Sequence, residues 1–199
     1  MIESWNELPL GTYRKITEIS PSDEEGNLKI LALLEDKPYS EILNAPIAGI
    51  KEKIKKIEFL NKKPKKHLVK TKYKLGDTTY VFNCSPSSVQ VNQFIDLNAL
   101  EEDDLTGKLA VWLIPEGKMY NEGYDLEKTR EDIDRYLSVE EALSICDFFT
   151  LSLLVLLKRT LRRARKALRK AEKDGVDVTE ARKELKRYEG FLSSSGSLL

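Results

Sequence analysis

Apolar residues recur along most of this chain every third or fourth position, the period of an amphipathic helix, and in one stretch every second position. Leu10, Tyr13, Ile16 and Ile19 predict a short helix that ends at Pro21. After the loop SPSDEEGN, Asn27 is placed to cap a second helix whose Leu28, Leu31 and Leu34 face packs on the first. A further turn of helix is expected over 40–44. Pro46 then stands where a first helical residue needs no N–H, opening a helix with Ile47, Ile50, Ile54 and Ile57 on one stripe and lysines opposite. Phe59 and Leu60 extend its apolar end.

The period then drops to two. Val69, Thr71 and Tyr73, followed by Thr79 and Val81, flank Gly76-Asp77, which predicts a β-hairpin over about 68–83. Two strands alone are marginal in water, so the hairpin must lie on helices or pair with another strand. Ser87 or Ser88 is positioned to cap a helix carrying Val91, Phe94, Ile95, Leu97 and Leu100. The segment LTGKLAVWLIP reads as an apolar helix stopped by Pro115. In the loop that follows, Tyr120 and Tyr124 are expected to bury their rings and leave their hydroxyls wet. Asp125 caps the next helix, and Ser138 with Glu141 forms a capping box for a long one.

That last helix, over 138–173, has two characters. The apolar run 148–157 would span roughly 15 Å, half of what a bilayer requires, so it reads as a core segment and not a membrane span. Beyond it Leu154, Leu157, Leu161, Ala164, Leu168 and Ala171 alternate steps of three and four, a heptad seam. Residues 173–177 form a stop and turn, and Val178, Ala181, Leu185, Tyr188 and Leu192 repeat the spacing on a returning helix. So short a loop makes the two helices antiparallel. The fold class expected is mainly α (α+β): a multi-helix domain over 1–150 with one small β-hairpin, then the helix continuation and an antiparallel αα-hairpin over 151–193, and a flexible tail at 194–199.

Charge refines this picture. The 33 basic and 33 acidic residues cancel, yet 158–173 holds nine basic residues against Glu172 alone. Acidic stretches lie at 101–104 and 131–134. Such a dipolar chain points to interaction with a partner or with itself more than to bulk polyanion binding. Arg162, Arg163, Arg165, Lys166, Arg169 and Lys170 form a cationic surface suited to phosphate contact, although Glu180, Glu184 and Glu189 on the returning helix are placed to neutralise part of it. No aromatic residues are interleaved for base stacking.

Catalytic chemistry is sparse. His67, the only histidine, follows a lysine run and reads as a solvated surface residue. Cys84 and Cys146 have no CxxC spacing and read as structural thiols of a reducing compartment. Gly117 and Gly123 flank a loop without the form of a phosphate cradle, and the carboxylates at 101–104 lack the alternation of a calcium loop and read as a solvated helix start. The opening MIESWNELPLG lacks the charged and apolar regions of a signal peptide. No enzyme, cofactor or metal is expected.

One resemblance carries a functional expectation. Trp5-Asn6-Glu7-Leu8, Tyr13, Phe59-Leu60, Tyr80, Gln93-Phe94-Ile95-Asp96, Ile114-Pro115-Glu116-Gly117, the run from Tyr120 to Asp125, and Phe148-Phe149 follow one another over residues 4–157. In that order they resemble small tailed-bacteriophage proteins from phages of Bacteroidetes-like hosts, related to tail assembly chaperones. The C-terminal hairpin is more regular and more charged than that group and reads as an extension. The resemblance implies a non-enzymatic morphogenesis factor, acting in the host cytoplasm during assembly, that shields apolar segments of a helical tape-measure or tail-tube protein. No catalytic residues come with it. The contacts are expected on Phe148, Phe149, Leu153, Leu154, Leu157, Leu161, Leu168, Leu185 and Tyr188, with self-association through the hairpin as a related expectation. A virion structural protein, a connector or packaged internal component, is the alternative. A nucleic-acid-binding module using the basic helix is a second.

Overall fold

The computed structural model describes residues 1–19, 24–82, 90–101 and 103–195. These residues form nine α-helices and a three-stranded antiparallel sheet, the mainly α (α+β) class expected. They divide into two compact units, 1–147 and 148–199.

In the first unit, α1 (Leu10–Thr17) and α2 (Glu24–Glu35) form where the three- and four-residue spacing places them. Asn27 lies inside α2 and not at its cap, because the helix begins three residues earlier at Glu24. α2 ends in a left-handed turn at Asp36, φ +52°, closed by Lys37 N–H to the Ala32 carbonyl and Asp36 N–H to the Leu33 carbonyl. α3 (Tyr39–Leu43) follows, and Pro46 is the cap of α4 (Ile47–Lys56) and not its first residue. Of the expected isoleucine stripe, Ile57 is buried in a 3-10 turn after α4, whereas Ile47 is 75% exposed. Leu8, Ile16, Ile30, Leu31, Leu34, Ile42 and Val139 complete this core. Trp5 lies edge-on to Tyr13 and to Phe59, centroids 5.6 and 5.5 Å apart, and its indole N–H donates to the Lys62 carbonyl.

The sheet has one strand more than expected. β1 (Lys72–Leu75) and β2 (Thr78–Phe82) form the hairpin around Gly76-Asp77, with Tyr73 opposite Tyr80, while Val69 and Thr71 precede β1. Tyr73, Leu75, Tyr80 and Phe82 are the buried face. β3 (Leu113–Pro115) pairs with β2, Val81 opposite Ile114. The expected helix through Pro115 therefore stops early: α6 (Leu105–Trp112) gives way to extended backbone at Leu113. Gln93 of α5 (Val91–Ala99) donates its side-chain amide to the Val111 carbonyl, taking up an acceptor left at the end of α6. Gln90, not a serine, caps α5; Ser87 and Ser88 lie outside the described residues, as do Cys84 and Glu102. Tyr120 is buried, but its hydroxyl donates to Asp96 at 2.7 Å and is not wet, and the Tyr124 hydroxyl is buried too.

Much of the acidity of this unit is used internally. Asp104 caps α6 by accepting from the Gly107 N–H and pairs with Arg130 at 2.9 Å. Burial alone would raise its carboxyl, but the Gly107 N–H and the Arg130 guanidinium outweigh it and hold the group below the usual carboxylate range. On α7 (Leu126–Tyr136), capped by Asp125 as expected, Asp132 accepts from the Tyr80 hydroxyl, and Asp134 accepts from Thr106 and pairs with Arg14. α1 crosses α7 so closely that a Cβ on Gly11 would lie 2.9 Å from the Asp134 backbone.

α8 (Val139–Lys173) begins in the first unit. Its start is locked by two backbone hydrogen bonds, Leu10 N–H to the Leu137 carbonyl and Val139 N–H to the Leu8 carbonyl, both 2.9 Å. Ser138 Oγ accepts from the Glu141 N–H, the helix-facing half of the expected box. In the second unit α8 stops in a left-handed turn at Gly175, φ +80°, with Val176 N–H on the Ala171 carbonyl and Gly175 N–H on the Glu172 carbonyl. α9 (Thr179–Ser195) returns, so the αα-hairpin forms as expected.

The two left-handed positions make opposite predictions. Asp36→Gly removes a Cβ from strained backbone, and thermal unfolding should show a gain of about 0.5–1 kcal/mol. Gly175→Ala introduces that strain, and amide exchange across α9 should quicken to match a loss of about 1 kcal/mol.

Candidate functional site

Of the concave surfaces among the described residues, two hold chemistry singled out in the sequence, one in each unit. The first lies beneath residues 62–71, an extended lysine-rich strap between the 3-10 turn and β1. It encloses about 700 Å³, walled by His67, Lys70 and Tyr73 on one side and by Ser138, Glu140, Glu141 and Ser144 of the α8 start on the other. Lys65 N–H donates to Glu140 Oε1 at 2.9 Å, and His67 Nε2 lies 2.7 Å from Glu140 Oε2. The His67 backbone N–H donates to Ser144 Oγ, whose own proton goes to the Glu140 carbonyl at 2.6 Å. Lys66 pairs with Asp147 and Lys70 with Glu141 at the rim.

His67 is therefore not a simply solvated histidine: half its ring is exposed, but it is held by a carboxylate that is 8% exposed. Burial by itself would raise the Glu140 carboxyl. The Lys65 N–H and the His67 ring outweigh that and hold it below its ordinary value. The Ser144 hydroxyl spends its proton within its own helix and touches the His67 backbone, not the ring, so the three residues do not form a nucleophile–base–orienter relay. The chemistry available is a clamp that fixes the strap on the α8 start. Cys146 does not add a nucleophile, since burial pushes its thiol up to about 12 and keeps it protonated at neutral pH.

The second surface lies wholly in the hairpin. Leu161 is buried, and Ala164, Leu168 and Leu185 are half-buried. Together with Ala167 and Ala181 they line an open apolar groove of about 480 Å³ between α8 and α9. The small alanine side chains leave Leu168 and Leu185 partly uncovered. Phe149 is buried and Phe148 half-buried, their rings edge-on at 6.1 Å. The apolar run is not all core, however, because Leu151 and Val155 are about half exposed. The side chains of Leu153, Leu154, Leu157 and Tyr188 lie outside the described residues.

Beside the groove, sharing Ala167 with it, runs a face formed by Arg163, Lys166, Arg169, Lys170 and Lys173. The expected neutralisation from α9 does not occur among the described residues. Glu180 pairs with Lys183 and Glu184 with Arg187, each within α9, and the cross-helix pair runs the other way, from Arg182 to Glu172. The side chain of Glu189 lies outside the described residues. Arg162, with Arg163 and Lys166, is exposed, and Arg165 is exposed but engaged.

The strap was hidden from motif reasoning because its chemistry is split between backbone N–H groups and a helix start more than 70 residues away. A signal was present all the same. Residues 51–74 hold eleven lysines against two glutamates, and Glu140, Glu141 and Asp147 stand at the start of α8 to receive such a stretch.

Glu140 supplies a test of the clamp. With its folded value below the ordinary 4.5, its contribution to stability is complete above that pH and is lost as pH falls through the depressed value. Glu140→Gln should cost about 1–2 kcal/mol at pH 7 and flatten the acid limb of the stability curve; an unchanged limb in denaturant titrations from pH 7 to pH 3 would remove Glu140 from that role.

No helix among the described residues is long and apolar enough to cross a membrane. Comparison with protein-family models, curated proteins and solved structures finds no match to this chain.

Proposed function

We propose that this protein is a non-enzymatic assembly factor whose C-terminal hairpin holds an apolar helical segment of a partner protein. The observation that carries the reading is the open groove between α8 and α9, where buried Leu161 lies with Leu168 and Leu185, both partly uncovered, among alanines. A groove of that kind suits an amphipathic helix laid along it, anchored at positions three, four and seven residues apart. The strap cleft is less suited to a ligand, because its polar groups are already satisfied by one another.

In the setting implied by the resemblance to phage tail proteins, the partner is the tape-measure or tail-tube protein, and the chain acts in the host cytoplasm while the tail is built. A virion component remains the rival reading of the same surface, and the two part on the fate of the protein. A chaperone is absent from purified particles by mass spectrometry, whereas a structural component stays with them.

Leu168→Glu places a charge on the groove floor, within the second unit. Co-purification with the tape-measure or tail-tube protein should fall at least about tenfold, a loss near 1.4 kcal/mol. Undiminished capture, with circular dichroism showing an intact hairpin, would move the contact elsewhere.

A further inference from the structure

We infer that the helix seated in the hairpin groove is acidic along one flank, with carboxylates spaced to meet the basic face of α8. This rests on the reading of the groove as a helix seat and adds the chemistry of the occupant. Arg163, Lys166, Lys170 and Lys173 follow one another at steps of three, four and three, so they form a single stripe along α8. The stripe runs about 15 Å, close to three helical turns, and borders the groove at Ala167. These four side chains make no ion pair among the described residues: Glu180 and Glu184 pair within α9 and Glu172 is held by Arg182. An apolar seat with an uncompensated cationic rim is complementary to an amphipathic helix with an apolar ridge and an acidic flank.

Other occupants fit less well. A second copy of the hairpin brings the same excess, thirteen basic against six acidic residues in the unit, and would set like charges against the rim. Nucleic acid would meet the stripe but not the apolar floor, and residues 158–187 contain no aromatic ring for a base to stack on.

The test uses the full chain and three fluorescent probes in anisotropy titrations. One is a 20-residue helix with an apolar ridge and glutamates along one flank, the second has those glutamates replaced by glutamine, and the third is a DNA duplex of similar length. The acidic helix should bind about tenfold more tightly than the glutamine helix at 50 mM salt, and the difference should shrink towards nothing at 500 mM. The exposed double variant Lys166→Glu/Lys170→Glu should abolish the preference and leave the glutamine helix bound as before. Equal binding of the two helices would overturn the acidic partner while the groove reading stands. Failure of both helices to bind would overturn the groove reading itself. Tighter binding of the duplex, with a steep salt dependence, would assign the stripe to nucleic acid.

Discussion

Leu8, Leu10, Leu137 and Val139 are all shut off from solvent, so their backbone groups have to find partners inside the fold. They find them in each other: Leu10 donates to Leu137 and Val139 to Leu8 across an antiparallel bridge between Pro9 and Ser138. An unpaired buried N–H or C=O would cost about 1–3 kcal/mol, so this pairing is close to obligatory once the leucines are buried. Its geometric reach is large. α1 starts on one side of the bridge, and α7 ends and α8 starts on the other. α1 is thereby set against α7, where Gly11 allows the close crossing, and the carboxylates at the α8 start are brought to the strap.

Charge is handled differently in the two units. In the first, Asp96, Asp104, Asp132, Asp134 and Glu140 serve as acceptors for tyrosine hydroxyls, backbone N–H groups and cations, so an acidic sequence does not present a comparably acidic surface. The lysines of 51–74 are likewise partly consumed, by Glu35, Glu3, Asp147, Glu141 and Glu116. In the hairpin Glu180 and Glu184 of α9 are spent on their own helix, and Arg163, Lys166, Lys170 and Lys173 of α8 stay on the surface. Local i to i+3 pairing thus leaves the α8 cations exposed in the one unit, and long-range pairing takes up part of the charge in the other.

The helices and the β-hairpin were legible because their signals are local: three- and four-residue spacing, Asp125 as a cap, Gly76-Asp77 as a turn, Gly175 as a stop. The larger failures share one cause, which is that distant partners decided the outcome. Leu113–Pro115 reads as helix until β2 offers it a ladder and Gln93 takes the Val111 carbonyl. His67 reads as solvated until Glu140 is placed against it. Of the candidate contacts, Leu161, Leu168 and Leu185 do meet in one groove, because heptad spacing is local geometry. The neutralisation expected from Glu180 and Glu184 depended on which way long side chains turn across a gap, and spacing does not encode that. Several residues that carry the phage resemblance, Trp5, Tyr13, Phe59 and Tyr80, prove to be packing and hydrogen-bonding residues of the first unit.

The bridge between residues 8–10 and 137–139 also sets an order of events. Closing it brings together strands about 130 residues apart, whereas the hairpin closes over a few dozen residues through neighbours in sequence. During synthesis the Leu10 N–H and the Leu8 carbonyl wait for their partners until residues 137–139 have left the ribosome, so the bridge that seals the first unit closes only after all of 1–139 has been made. The hairpin follows within seconds at ordinary elongation rates and needs no long-range search. The α8–α9 hairpin is therefore made after the segments that seal the first unit, and the two units close by searches of very different length.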